Sequence, residues 1–258
     1  MHCDEETLDS ILDLKIFQRK HGYRFSVDSL ILPYFINLKR LITAVELGAG
    51  VCIISMILAR RYPHAKIYAV EIQKTLVELG EKNIEFNNLS KQIEIIHADI
   101  KDLHSILPEK SFELVLCNPP YRRPKTGLIS PEDERAIARH ELLMKIDDIL
   151  DISRYLLRAK GRLALIYHPA RLIELMVKMK HYEIEPKRMR FVHSKEGGVA
   201  KMVLVEGVKE GKQELKVMPP LYVYNKNGGY SAEMKRIYGV PDAGNALAIH
   251  FEAFSFEM

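Results

Sequence analysis

The chain has only three cysteines, Cys3, Cys52 and Cys117, and they form neither a CxxC pair nor a metal-ligand spacing. A disulfide framework is therefore not expected, nor is a metal site. The apolar neighbours of Cys52 and Cys117 mark both as buried thiols. No apolar run reaches bilayer-spanning length, and the N-terminus is acidic and polar rather than signal-like. A cytoplasmic protein with no membrane partner is expected. There are no internal repeats, no low-complexity stretch and no interdomain linker. A P-loop lysine–serine pair is missing, as is any residue set suited to hydride transfer. Charge is nearly balanced, with 38 Lys and Arg against 34 Asp and Glu. The small basic excess allows a polyanionic partner without requiring one.

What is present is globular: 47% of residues are apolar and 28% charged. The 258 residues suit one large domain with a small appendage. Apolar runs read as strands at 43–47, 65–70, 93–97, 112–117 and 162–168. They alternate with helices at 53–59, 72–87, 144–158 and 170–181. That alternation predicts an α/β, doubly wound, mostly parallel sheet. Helix 144–158 is expected to stop at Lys160-Gly161, a C-terminal cap signal. Residues 1–40 form a lead-in to a main domain of 41–239. They carry an amphipathic segment or a strand, then a helix from Ser29 that Ser26 or Asp28 can cap. Two late strands, 184–192 and 199–205, surround a Gly197-Gly198 turn. Residues 219–224 read as an extended arm, and the tail 240–258 has no assigned role.

Glu46-Leu47-Gly48-Ala49-Gly50 stands between the first of these strands and its helix, where a glycine motif has meaning. Gly48 and Gly50 let backbone approach a ligand, and the helix N-terminus favours polar groups. A third glycine in this spacing would fall at Cys52. Glu71 ends the next strand, about 20 residues on, where an acid can accept both ribose hydroxyls. Its blander reading is a surface Glu opening a helix. Asp99 at the third strand tip can accept from an adenine amine or merely cap a helix. The apolar Val51-Cys52-Ile53 suits a cofactor without a pyrophosphate, S-adenosylmethionine rather than a dinucleotide.

The chain is organised around Asn118-Pro119-Pro120-Tyr121. Its prolines end an apolar strand and hold Asn118 in a set direction. The Asn118 oxygen and the Pro119 carbonyl can each accept one hydrogen of a conjugated amine and so free its lone pair, while Tyr121 can stack on the base. Basic side chains gather in the loop Arg122, Arg123, Lys125, at Arg139, and on the late strands at Lys187, Arg188, Arg190, Lys195 and Lys201. Each alone reads as solvated surface; as a set they suit RNA phosphates. Arg188 and Arg190 are two apart on a strand and share a face.

Glu46 to Gly50 together with Asn118 to Tyr121 resemble the amino-group methyltransferases that use S-adenosylmethionine. Phe25-Ser26-Val27-Asp28, residues 136–141, 185–192 and 219–224 further resemble the bacterial tRNA adenine-N6 methyltransferases acting on valine tRNA. The resemblance covers about residues 8–239. It implies a Rossmann-like seven-stranded sheet with an antiparallel last strand, and methylation of the adenine 3′ of the anticodon. It implies a cofactor set of Phe25, Asp28, Glu46, Gly48, Gly50, Glu71, Ile72, Asp99, Ile100 and Asn118. It also implies an anticodon stem-loop as partner, met by a monomer or weak dimer. Two departures are Cys52, in place of a frequent glycine, and the unmatched tail. Protein-glutamine methyltransferases share the Asn-Pro-Pro-Tyr stretch but carry a helical N-terminal domain for which residues 1–40 leave little room. A ribosomal RNA or DNA amino-methyltransferase, and a non-catalytic RNA-binding module, are the other readings.

Overall fold

The computed structural model describes residues 6–20, 25–119 and 144–239. The lead-in is a hairpin: β1 (Glu6–Ile11) and β2 (Leu14–Arg19) pair antiparallel about Leu12, which is held at φ 55°. Helix α1 (Val27–Phe35) follows. Ser26 stands at its N-cap position, yet its hydroxyl donates to Asp28 instead of accepting from the helix. Asp28 lies inside the first turn and takes the Ser29 amide at 3.0 Å, so neither residue caps the helix in the expected way.

The alternating part then runs β3 (Thr43–Leu47), α2 (Ile53–Arg61), β4 (Lys66–Glu71), α3 (Lys74–Phe86), β5 (Ile93–His97), the short α4 (Leu103–Ile106), β6 (Phe112–Cys117), α5 (Ile146–Leu156), β7 (Leu157–Tyr167) and α6 (Leu172–His181). It ends with β8 (Ile184–His193), β9 (Ala200–Lys209), the two-residue strands β10 (Lys216–Val217) and β11 (Leu221–Tyr222), and α7 (Ala232–Ile237). Strand order is β10-β8-β9-β7-β6-β3-β4-β5, and β11 also pairs with β8. Among the described residues this sheet has seven strands of five residues or more, β3 to β9, and β9 is antiparallel to both its neighbours. The arm at 219–224 is not free: through β11 it adds in parallel to the outer edge of β8.

The buried apolar strand residues divide between two cores. Ala44, Ile67, Leu114 and Leu116 join α1, α2 and α3 on one side; Val45, Leu47, Val115 and Cys117 join α5 and α6 on the other. The β1–β2 hairpin docks on α3 through two asparagines one helical turn apart. Asn83 Oδ1 accepts from Phe17 N at 2.7 Å and Asn87 Oδ1 from Lys15 N at 2.9 Å. Their amides return bonds to the carbonyls of the same two residues.

Helix α5 stops at Leu156, short of Lys160-Gly161, which lies within β7. The cause is remote. The buried Lys209 ammonium takes the carbonyls of Arg154 at 2.6 Å and Leu157 at 2.8 Å, closing the helix end. Burial pulls the Lys209 pKa down.

Topology fixes where a ligand can bind. From β3 the chain steps outward to β4 and β5, then returns to β6 on the other flank of β3. The crevice at that reversal lies outside the carboxyl ends of β3 and β6, where Leu47 pairs with Cys117. Cys117, Leu165, Val205 and Met189 form one row across β6, β7, β9 and β8. Strands β8 and β9 continue past that row to the pair His193–Ala200, so their connection projects beyond the carboxyl edge.

Candidate active site

The glycine turn leaves β3 with Gly48 at φ +70°, Gly50 at +56° and Cys52 at 66°, three left-handed residues at every second position. A Cβ on Gly48 would stand 2.7 Å from Met144 Cε, the movable end of a flexible side chain, so it is the positive φ rather than space that calls for glycine. Cys52, the departure from the glycine pattern, is buried, and its sulfur turns into the core against α3. A Cβ on Gly80 would meet that sulfur at 2.8 Å and Ile95 Cδ1 at 2.9 Å. The missing glycine at position 52 is thus matched by a glycine on the facing helix. Gly80→Ala should cost about 1–3 kcal/mol in urea unfolding, and most of that should return in the double variant with Cys52→Gly. Strictly additive effects would mean that the two positions do not meet.

Beneath the turn sit two buried carboxyls. Glu46 Oε2 accepts from the Ser55 amide at 2.9 Å and from the Ser55 hydroxyl. Burial pushes its pKa up to about 8; the Ser55 bonds oppose the rise and the charge of Glu71 adds to it. The folded protein therefore holds a proton that the unfolded chain releases near its ordinary 4.5. This stabilisation is full below about pH 4.5 and is lost as pH climbs through 8. Glu46→Gln, neutral throughout, should flatten the decline of unfolding free energy between about pH 5 and 8. An unchanged pH profile would show that Glu46 is ionised in the fold.

Glu71 is buried at the tip of β4. Its Oε2 accepts from Gly50 N at 2.8 Å and its Oε1 from Gln73 N at 2.9 Å. It pins the turn, and each oxygen keeps a second lone pair for a further donor. Asp99, half-buried at the end of β5, accepts from Lys101 N at 3.0 Å and caps a single 3₁₀ turn. Ile72 is half-buried beside it, its carbonyl bonded to His97 at 3.0 Å. Ile100 points into the α5-side core, beneath the site.

Across the crevice, Asn118 follows β6. Its Nδ2 donates weakly to Ser29 Oγ at 3.5 Å, while its Oδ1 is buried and accepts no hydrogen bond among the described residues. A buried acceptor left open costs free energy, which asks for an explanation beyond the fold. Pro119 is buried and borders a cavity of about 260 Å³ with Met144, Tyr167, Arg171 and Lys178. Phe25 is buried too, its amide tethered to Gln18 Oε1 at 3.3 Å. The segment from Phe25 to Ser29 thus reaches Asn118 through Ser29. Pro120, Tyr121, Arg122, Arg123, Lys125 and Arg139 lie outside the described residues.

The late-strand cations divide. Arg188 and Arg190 share a face, but the protein itself takes both guanidiniums. Arg188 donates to the Phe35 carbonyl, lies 4.6 Å over the Phe35 ring and stands 3.7 Å from Glu206. Arg190 grips Glu233 of α7 at 2.6 and 2.7 Å and the Pro219 carbonyl at 2.8 Å. They tie α1, α7 and the arm to β8. Lys187 lies two residues short of the Met189 row and bonds the Lys212 carbonyl at 3.0 Å, so it does not flank the carboxyl edge. Lys195 is exposed on the projecting β8–β9 connection and Lys201 is exposed just past it, at the start of β9.

Sequence reasoning missed Ser29, Ser55, Gly80 and Met144. Each reaches the site from another segment, and only Ser55, one turn into α2 above an acidic strand end, carried a local signal. Among the described residues, no group of three or more His, Cys, Asp and Glu is gathered as for a metal, and no helix is long and apolar enough to cross a membrane.

The chain resembles known proteins at three levels. Residues 29–169 match the family model of the methyltransferase small domain. The tRNA1(Val) (adenine(37)-N6)-methyltransferase of Porphyromonas gingivalis is 31% identical over 163 residues, 62% of this chain and 63% of that one. The chain spans about three fifths of the length of such curated relatives. Among solved structures, a predicted O-methyltransferase from Agrobacterium tumefaciens superposes with a TM-score of 0.65 at 19% identity, covering 83% of this chain and 96% of that one. M. jannaschii TYW2 in complex with AdoMet gives 0.56 at 17%, covering 79% and 85%. At such identities the two structures speak for the fold. Because the family match runs from α1 through the end of β7, taking in every strand that borders the crevice, the chain belongs to the methyltransferase small domain family.

Proposed function

We propose that the protein transfers a methyl group from S-adenosylmethionine to the exocyclic N6 amine of an adenine in tRNA, the one 3′ of the anticodon in valine tRNA. The observation that carries this reading is the open, buried Oδ1 of Asn118, next in register to the glycine turn. The name borne by the curated relatives supports the substrate.

The residues present fit the cofactor. The Gly48–Gly50 turn offers close backbone, Glu71 offers lone pairs for two ribose hydroxyls, and Asp99 offers an acceptor for the adenine amine. When bound, S-adenosylmethionine supplies an already electrophilic methyl. The work left to the protein is to present a nucleophile. Asn118 Oδ1 and the Pro119 carbonyl accept the two amine hydrogens, which tilts the nitrogen toward tetrahedral geometry and aims its lone pair. The methyl would pass from sulfur to that nitrogen, the new bond forming as the old one breaks, and the surplus amine proton would leave to solvent. No strong base is required, and positioning at about 3–3.5 Å supplies much of the acceleration. The target lies in a loop, so extruding it costs less than flipping a paired base.

Incubation with methyl-labelled cofactor and unmodified tRNA transcripts, followed by mass spectrometry of the nucleosides, tests this. Labelled N6-methyladenosine from the valine transcript is the expected product. Label on protein glutamine, or on RNA at another base, would overturn it.

A further inference from the structure

We propose that the two loops projecting past the carboxyl edge, residues 194–199 and 225–229, form a platform that holds the single-stranded RNA around the target base. This rests on the RNA-methylating reading above and adds the place of contact.

The register supplies the position. His193 stands four residues beyond Met189, which is level with Cys117, so the platform begins about 13 Å above the row from which Asn118 emerges, at about 3.3 Å per residue. It lies on the β8 flank, opposite the glycine turn across β6 and β7. A substrate reaching Asn118 from that flank passes it without crossing the cofactor side.

The two loops act as one body. Tyr222 is in register with His193, and their rings lie 5.5 Å apart. Tyr224 N donates to Ser194 O at 2.8 Å, and Lys226 Nζ meets Glu196 at 3.1 Å. Behind them, Tyr224 stacks on Tyr230 at 5.4 Å and Tyr230 leans on Tyr238 at 4.7 Å. An aromatic column thus backs the platform.

Its chemistry selects the partner. Lys195 and Lys226 in the loops and Lys201 at the start of β9 are exposed cations, and within the two loops only Glu196 offsets them. The rings of His193 and Tyr222 are half-exposed beside them. Cations alone would suit any polyanion. Cations interleaved with open rings suit unpaired nucleotides, whose phosphates and base faces are presented together.

The test uses an unmodified valine tRNA transcript as probe. Binding is measured against salt for the wild type, for the triple variant Lys195→Gln, Lys201→Gln, Lys226→Gln, and for Tyr222→Ala and Tyr222→Phe. The triple variant should lose about 0.7 unit of log–log slope per phosphate contact, about 2 in all. Tyr222→Ala should weaken binding about tenfold, with Tyr222→Phe close to wild type. KM for the transcript should rise with kcat and cofactor affinity unchanged. Wild-type slopes and affinities in all variants would overturn the platform while leaving the methylation reading intact. Equal losses for Tyr222→Ala and Tyr222→Phe would remove stacking from it. A wild-type protein that neither binds nor methylates the transcript would sink both.

Discussion

Asn118→Ala should lower methyl transfer by about 10²–10³-fold, the usual cost of removing one preorganised dipole from a reaction centre, while the protein melts at or above the wild-type temperature. The two effects have one source. Oδ1 is buried and accepts no hydrogen bond among the described residues, so the fold bears its desolvation without return. Replacing it with a methyl relieves that penalty and removes the acceptor that tilts the amine. Cofactor and tRNA affinities should change little, since this oxygen makes only one of the many contacts that hold each of them. Turnover, a melting curve and two binding isotherms decide the matter. Near-normal turnover would leave Asn118 as a strand-ending residue. A large drop in melting temperature would show that the oxygen has a partner in the fold after all.

Glu71→Ala should weaken S-adenosylmethionine binding by about 10²-fold or more, since two hydrogen bonds to a charged acceptor are worth about 1.5–3 kcal/mol each. The same substitution also frees the Gly50 and Gln73 amides, so part of the loss could come from a loosened turn. A cofactor analogue lacking both ribose hydroxyls separates the two. Wild type should bind the analogue poorly, and Glu71→Ala should bind analogue and cofactor alike. If the analogue loses as much affinity in the variant as in the wild type, Glu71 shapes the turn and does not touch the ribose.

What could be read from the sequence is what short stretches decide. The strand ending in Asn118-Pro119, the glycine turn and the acid at Glu71 are local patterns, and the fold sets them on the two sides of one crevice. What could not be read depends on partners far along the chain. Helix α5 ends early because Lys209 reaches it, and Arg188 and Arg190 are spent on Phe35, Glu206 and Glu233. A pair of strand arginines on one face looks the same in sequence whether it meets phosphate or a helix of its own protein. The β1–β2 hairpin was hidden for a different reason. Its turn has Leu12 in the left-handed region where Gly or Asn is the usual signal, and only the rest of the fold holds it there.

That hairpin has a consequence for solubility. A two-stranded ribbon leaves one edge of β2 with open amides and carbonyls, the kind of border that recruits strands from other molecules into aggregates. In this protein the edge is closed by side chains: Asn83 and Asn87 give and take four hydrogen bonds with Lys15 and Phe17, doing for β2 what a third strand would. Because Asn83 also bonds the Val51 carbonyl beside the glycine turn at 3.2 Å, the same helix face guards the ribbon and steadies the crevice. Aspartate in place of either asparagine would keep the acceptor and lose the donor, leaving a carbonyl of β2 free to join a foreign strand.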